Sequence, residues 1–269
     1  MEADDLIITS GTQSVSGWTD IRVTRGIERL PSDFSISMTE LSLGELDPIL
    51  LAEGDSCEVR LGDDLVITGY VDHNVASIDA NSHSIRVVGR SKCSDLVDCA
   101  AEWKGGQISN TTVLGVAQRL STVYGITVSS GVAVLPIVPQ TNLMLGESPF
   151  EIIDRMARFS QVLVYDLPDG NLHLAQSNNI AAASGFTEGV NVLRAHIDRS
   201  ADIRYRDYDV YIQSVDVFTD LGDSGNKIAN IHDSETKRHR RMVIISESGG
   251  KGLDIAYQRG IWERERRNG

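Results

Sequence analysis

The sequence predicts a mainly β protein with an α/β module set into it, and three observations carry that prediction. Apolar residues alternate with period two up to about residue 91. At 111–160, inside an α/β module of residues 97–185, the spacing changes to the three-and-four pattern of amphipathic helices. From about residue 190 the alternation returns.

The elements follow in order. In "GWTDIRVTRGIERLPSDFSISMTE" the apolar positions are Ile21 and Val23, then Phe34, Ile36 and Met38, with a turn at "RLPSD" where Pro31 removes a ladder donor. "DSCEVRLGDDLVITGYVD" is a hairpin: Cys57, Val59 and Leu61 alternate, Gly62-Asp63-Asp64 turn, and Leu65, Ile67 and Val71 lie on the returning arm. "HSIRVVGRS" adds a strand at Ile85 and Val87. Short strands at this spacing predict a small barrel or a sandwich.

In "NTTVLGVAQRLSTVYGI", Asn110 and Thr111 are competent caps. Val113, Val116, Ala117, Leu120, Val123 and Tyr124 then line one helical face, and Gly125 supplies the stop. "ESPFEIIDRMARFSQV" is a second helix with Ser148 as cap, Pro149 at the first position and Glu151 at the third. Its stripe is Phe150, Ile153, Met156 and Ala157. "VLVYDLPDGNLHLA" is a hairpin about Pro168-Asp169-Gly170. After the small-residue linker 178–185, "VNVLRAHIDRS" and "RYRDYDVYIQSVDVF" predict strands, the latter through Tyr208, Val210, Ile212, Val215 and Val217. The final stretch 251–269 predicts a helix with Leu253, Ala256, Gly260 and Ile261 near one face. Strands begun at 190 are too few to close a second barrel by residue 269, so the chain is expected to stop short of its native C-terminus.

Composition narrows the function classes. The 269 residues are 41% hydrophobic and 23% charged, which is ordinary globular usage. No apolar run approaches membrane-spanning length, and the acidic start "MEADDLIITSG" is unlike a signal peptide, so a soluble protein made in a cytoplasm is expected. The net charge of −13 opposes sequence-independent binding of nucleic acid or anionic lipid. Against that background "KRHRR" stands out. Lys237, Arg238, Arg240 and Arg241 precede a strand without interleaved aromatics, which points to a subunit-interface patch rather than a nucleic-acid site.

Catalytic and metal chemistry finds little support. The sequence holds no GxSxG, P-loop, HExxH or CxxC, and its six histidines are scattered. Three cysteines argue against a disulfide framework, and the five residues between Cys93 and Cys99 fit neither a redox pair nor a zinc knuckle. Asp220 and Asp223 lie in a glycine-rich loop whose spacing fails the calcium-loop pattern. The pairs Asp63/Asp64, Asp95/Asp98 and Asp207/Asp209 are too common a feature to single out acid–base work. No catalytic residue, cofactor or metal is expected. "GRSKCSDLVDCAAEW" reads instead as a structural joint: Gly89, Arg90 and Ser91 leave the strand, with Gly89 permitting a sharp exit. Asp95 caps a short turn, Leu96 packs inward beside Cys93, Asp98 follows, and Trp103 anchors the next domain.

These segments in this order resemble the baseplate hub proteins of Mu-type contractile-tailed phages, from "GWTDIRVTRGIERLPSDFSISMTE" through "GRSKCSDLVDCAAEW" to "RGIWERERRNG". The resemblance spans nearly the whole chain, and it extends to the hub part of type VI secretion spikes. It implies two related tail-tube-like barrels flanking an α/β domain. The first barrel would be 1–96, the α/β domain 97–185 and the start of the second barrel 186–235. Residues 236–269 would be a strand and a helix that packs back on the α/β domain. It further implies a homotrimeric, pseudo-sixfold ring in the virion tail baseplate, assembled in the bacterial host cytoplasm. The ring would join the hexameric tube protein to the central spike and other baseplate proteins, with DNA passing through its lumen unbound and no membrane anchor. Two alternatives stand beside it: a tail-associated cell-wall or polysaccharide hydrolase using a pair such as Asp95 and Asp98, and the hub of a related injection machine.

Overall fold

The computed structural model describes residues 5–39, 51–79, 83–176, 185–192, 194–197, 200–213, 226–246 and 253–268. The chain divides into two compact units, residues 1–137 with 141–175, and residues 138–140 with 176–269. The fold is mainly β, with several sheets and a few helices.

The first unit opens with β1 (Leu6–Ser10), β2 (Gln13–Val15), β3 (Asp20–Thr24), β4 (Asp33–Thr39), β5 (Ser56–Leu61), β6 (Asp64–Ile78) and β7 (His83–Ser91). They form one sheet in the order β2-β1-β5-β6-β7-β4-β3, antiparallel at each described pair. Alternation decides which face is buried. Leu6 and Ile8, Phe34 and Ile36, Cys57 and Val59, Ile67 and Val71, and Ile85 and Val87 all point into a single core. A sheet whose inner face fills one core must curl around it, and two bulges help it bend, one at Val59/Arg60 and one at Val71/His73. The expected hairpin 56–71 is present, although Leu61 at its tip is exposed because the inward alternation ends at Val59.

The α/β part follows: α1 (Ser94–Asp98), β8 (Gln107–Thr112), α2 (Val113–Ser121), a 3₁₀ turn (Thr122–Tyr124), β9 (Val128–Ser130), β10 (Ile137–Asn142), α3 (Pro149–Ser160), β11 (Leu163–Asp166) and β12 (Leu172–Ala175). β11 pairs antiparallel with β12, which pairs in parallel with β9. Helix α2 starts later than the sequence suggests. Its cap is Thr112, whose hydroxyl accepts the Gly115 N–H, while Asn110 takes a left-handed φ of 51° before the helix. Val123 is 54% exposed because the helix has tightened to 3₁₀ geometry there, which turns it off the buried face. Gly125 closes the segment at φ 65°, as a left-handed stop does.

Helix α3 carries the predicted capping box: Ser148 accepts from the Glu151 N–H, and Glu151 accepts from the Ser148 N–H. Of the predicted stripe Ile153, Met156 and Ala157 are buried and Phe150 is half-buried, while Ile152 and Phe159 join the buried face. Ahead of it Glu147 clamps the turn. Its carboxylate accepts from the Met144 N–H at 2.8 Å and from both terminal nitrogens of Arg155. The Arg155 hydrogen bond, with the Met144 amide and the guanidinium charge adding to it against a smaller cost of burial, holds the Glu147 carboxyl below its ordinary value of about 4.5. A lowered folded-state pKa contributes stability that is present above the ordinary value and disappears as the pH falls through the lower one. Glu147→Gln is therefore expected to cost about 1–2 kcal/mol near neutrality. The gap between variant and native chain should close as the pH falls below the ordinary carboxylate range, as followed by urea unfolding across pH. A gap that stays constant down to acid would refute the clamp.

In the second unit β13 (Asp207–Gln213) lies between β14 (Asn226–His232), antiparallel, and β15 (Arg241–Ile245), parallel. Helix α4 (Leu253–Asn268) covers one face of this sheet. Tyr208, Val210, Ile212, Ala229, Ile231, Ile244 and Ala256 form the core. Ala256 and Gly260 let the helix sit close: a Cβ on Gly260 would lie 2.2 Å from Ile231 Cδ1. The buried face of α4 is occupied by β13 and β14. The strand expected over 190–200 is absent from the described residues. Residues 185–192 form a self-bonded turn, with Val190 80% and Ile197 74% exposed, because an alternating segment remains a loop where no neighbouring strand pairs with it. Val215, Val217, Asp220 and Asp223 lie outside the described residues.

Candidate functional site

The stretch after β7 is where the curled sheet meets the α/β part within the first unit, and its residues have specific partners. The bulge in β6 leaves Asp72 without a partner on β7 and turns its carboxylate toward Arg90. Arg90 then bridges two carboxylates. Nε and Nη2 donate to Asp72 at 2.6 and 3.3 Å, while Nη1 and Nη2 donate to Asp98 of α1 at 3.2 and 2.7 Å. These hydrogen bonds, to Asp72 first and Asp98 second, raise the guanidinium pKa further. Two bidentate contacts on one planar cation fix direction as well as distance, which a lysine could not do.

Asp95 does not cap α1. Cys93 occupies the cap position, and no side chain bonds there. Asp95 sits in the first turn, where burial and the neighbouring Asp98 raise its pKa against the opposing pull of Arg90. Together with Gly54, Tyr70, Val71 and Ser94, the residues Asp72, Arg90, Asp95 and Asp98 line an open cleft of about 430 Å³. No group of metal-ligating side chains occurs among the described residues.

Gly89 lies inside β7 and has an ordinary φ, so it makes no sharp exit there. Its role is close approach. A Cβ would stand 2.3 Å from the Tyr70 carbonyl oxygen and 2.4 Å from Cζ of Phe34, whose ring covers it from β4. Gly69, on β6, is tighter still, with the Arg90 carbonyl oxygen 1.8 Å from where a Cβ would be. Ser91 continues the ladder by donating its N–H to the Ser32 carbonyl at 2.9 Å.

From the other side the Pro168-Asp169-Gly170 turn enters. The Cys93 thiol donates to the Gly170 carbonyl at 3.5 Å, and burial pushes that thiol's pKa up, so it stays protonated and unreactive. Cys57, in the sheet core, is pushed up to about 12 by burial and by Asp72 and Asp55. Leu96 is fully buried and Cys99 half-buried. Trp103 donates Nε1–H to the Gln107 carbonyl at 3.0 Å and carries the Arg119 guanidinium 3.9 Å above its ring.

A buried contact missing from the sequence reading completes this region. Asp166, at the end of β11 and 2% exposed, accepts the Ser32 N–H at 3.1 Å and the Ser32 hydroxyl at 2.8 Å. Arg25 donates to the Asp166 carbonyl at 3.0 Å. A lone Asp before a Pro-Asp-Gly turn gives no sign of a partner 134 residues away.

The basic cluster resolves into two kinds of residue. Arg240 donates to the Ala201 and Asp202 carbonyls, and Arg241 to Asp209 and the Tyr211 hydroxyl, so both belong to the fold of the second unit. Lys237 and Arg238 are exposed. Of the carboxylate pairs, Asp98 is spent on Arg90, and Asp209 on Arg241 and Asn230.

Comparison with known proteins places this geometry. The family described as Mu phage baseplate assembly protein GpP-like, N-terminal, matches residues 6–91, and that described as baseplate hub protein gp44-like, second domain, matches residues 93–176. The two meet at the joint. The baseplate hub protein gp44 of Escherichia phage Mu is 30% identical over 260 residues, covering 94% of this chain and 68% of that protein. Among solved structures, the 43 kDa tail protein of prophage MuSo2 from Shewanella oneidensis is similar at a TM-score of 0.80 and 30% identity, over 98% of this chain and 78% of that one. A tail protein from Neisseria meningitidis MC58 shares the fold at a TM-score of 0.75 and 17% identity, over 95% and 74% of the two chains. The chain belongs to the baseplate hub family of Mu-like phages.

Proposed function

We propose that the protein is the structural hub of a contractile tail. Three copies form a pseudo-sixfold ring that joins the hexameric tail tube to the central spike in the virion baseplate, after assembly in the host cytoplasm. The observation that carries this reading is the joint itself: two family matches abut at residues 91–93, and the side chains there are engaged in holding the sheet to the α/β part. The curled sheet serves as the first tube-like barrel, and β13 with β14 opens the second. Duplicated barrels let three chains satisfy six docking positions. On this reading Asp95 and Asp98 are structural rather than hydrolytic, since Arg90 holds the Asp98 carboxylate.

The net charge of −13 supports a conduit for DNA, because a lumen lined by carboxylates gives phosphate nothing to attach to. The test is the mass in solution. Sedimentation equilibrium is expected to return three times the chain mass of 29.4 kDa. A monomer at every working concentration would overturn the ring.

A further inference from the structure

The loop between β14 and β15 is built to hold two cations away from the body of the second unit. Asp233, nearly fully buried, accepts from the Glu235 N–H at 3.0 Å, the Thr236 hydroxyl at 2.8 Å and Arg204 at 3.3 Å, and donates its own N–H to the Arg206 carbonyl at 2.7 Å. On the returning side the Arg240 carbonyl accepts the Arg206 and Asp207 N–H groups at 2.9 and 3.1 Å. The Arg240 guanidinium bonds two carbonyls and lies 5.0 Å over the Tyr205 ring. His239 is drawn to Asp207 and Arg206. Between these anchors Lys237 and Arg238 stand exposed and without a carboxylate partner among the described residues. Ordering a loop costs entropy that is already spent when a partner arrives, so its apex is a pre-organised contact.

The charge of the chain identifies that partner. Each copy carries 38 acidic against 25 basic residues, so cations placed at the contact reduce the repulsion between two copies. We propose that the Lys237–Arg238 apex docks on an acidic face of a second copy of this chain, an inference that rests on the ring reading above. Duplex DNA is the other polyanion in the assembly. Two exposed cations on one loop, in a protein of net −13, fit it less well.

The experiment is sedimentation velocity over a concentration series at about 50 and 300 mM NaCl, comparing the native chain with K237E/R238E. The double change is expected to weaken association by about tenfold and to remove most of its salt dependence. Circular dichroism melting should be unchanged, since neither side chain has a carboxylate partner to lose among the described residues. A K237A/R238A chain should fall between. If the native chain associates and the charge-reversed chain associates equally well, the docking apex is wrong while the ring stands. A native chain that remains monomeric removes both. Fluorescence anisotropy with a duplex of about 30 base pairs supplies the remaining arm. DNA binding that K237E/R238E abolishes, with association untouched, would assign the apex to nucleic acid and overturn the proposal.

Discussion

Gly69→Ala is expected to destabilise the first unit by about 3–5 kcal/mol, enough to leave much of the chain unfolded at 37 °C. The added Cβ would stand 1.8 Å from the Arg90 carbonyl oxygen, 2.6 Å from Ser91 Cα and 2.7 Å from the Arg90 carbonyl carbon. All three are backbone atoms, so no side-chain rotation relieves the clash. The strands must separate where β6 pairs with β7, and that displaces Arg90 from both carboxylates at once. Gly26→Ala is the control. Its Cβ would meet only Arg29 Cβ, at 3.5 Å, and its expected cost is within about 0.5 kcal/mol. Urea unfolding of the two variants side by side decides the matter. A Gly69→Ala midpoint equal to that of Gly26→Ala would show that the strands cross more loosely than described.

That contrast shows what was legible in the sequence. Features whose cause is local were readable. The capping box at Ser148 and Glu151, the Pro168-Asp169-Gly170 turn and the hairpin about Gly62 each depend on residues a few positions apart. Gly69 and Gly89 were visible as glycines in strands, but the reason for them was not. It lies in Tyr70, Arg90 and Phe34, which come near only after β4, β6 and β7 pair. The same limit explains the error over 190–200. Period two shows which face of a strand would be buried, and it does not supply the neighbour that makes a strand. Over residues 89–103 residue type alone does not reveal which contacts form. Residue type points to Asp95 as a cap, a position Cys93 occupies, whereas the bulge that turns Asp72 toward Arg90 depends on a register shift between two strands.

Asp166→Ala is expected to cost about 3 kcal/mol and to make unfolding of the first unit less cooperative. The carboxylate is buried and serves two donors of one residue, the Ser32 N–H and the Ser32 hydroxyl. Removing it leaves a buried amide without a partner, and that loss exceeds the modest gain an average hydrogen bond represents. Ser32→Ala removes only the hydroxyl and leaves the N–H contact, so its expected cost is about 1 kcal/mol. Asp166→Asn should fall between, because one oxygen remains to accept while the amide nitrogen faces a donor. A double-mutant cycle on Ser32 and Asp166 isolates the pair, and a coupling above about 1 kcal/mol is expected. The chain position of the pair sets the consequence. Ser32 precedes β4 of the sheet and Asp166 ends β11 of the α/β part, so their contact transmits folding of one to the other. With it broken, and with Trp262 of the second unit replaced by Phe, tryptophan fluorescence reporting Trp18 and Trp103 in different parts of the first unit should no longer follow the same curve as circular dichroism. Coincident transitions in Asp166→Ala, at an unchanged midpoint, would mean that Arg90 and the Cys93–Gly170 contact suffice to hold the two parts together.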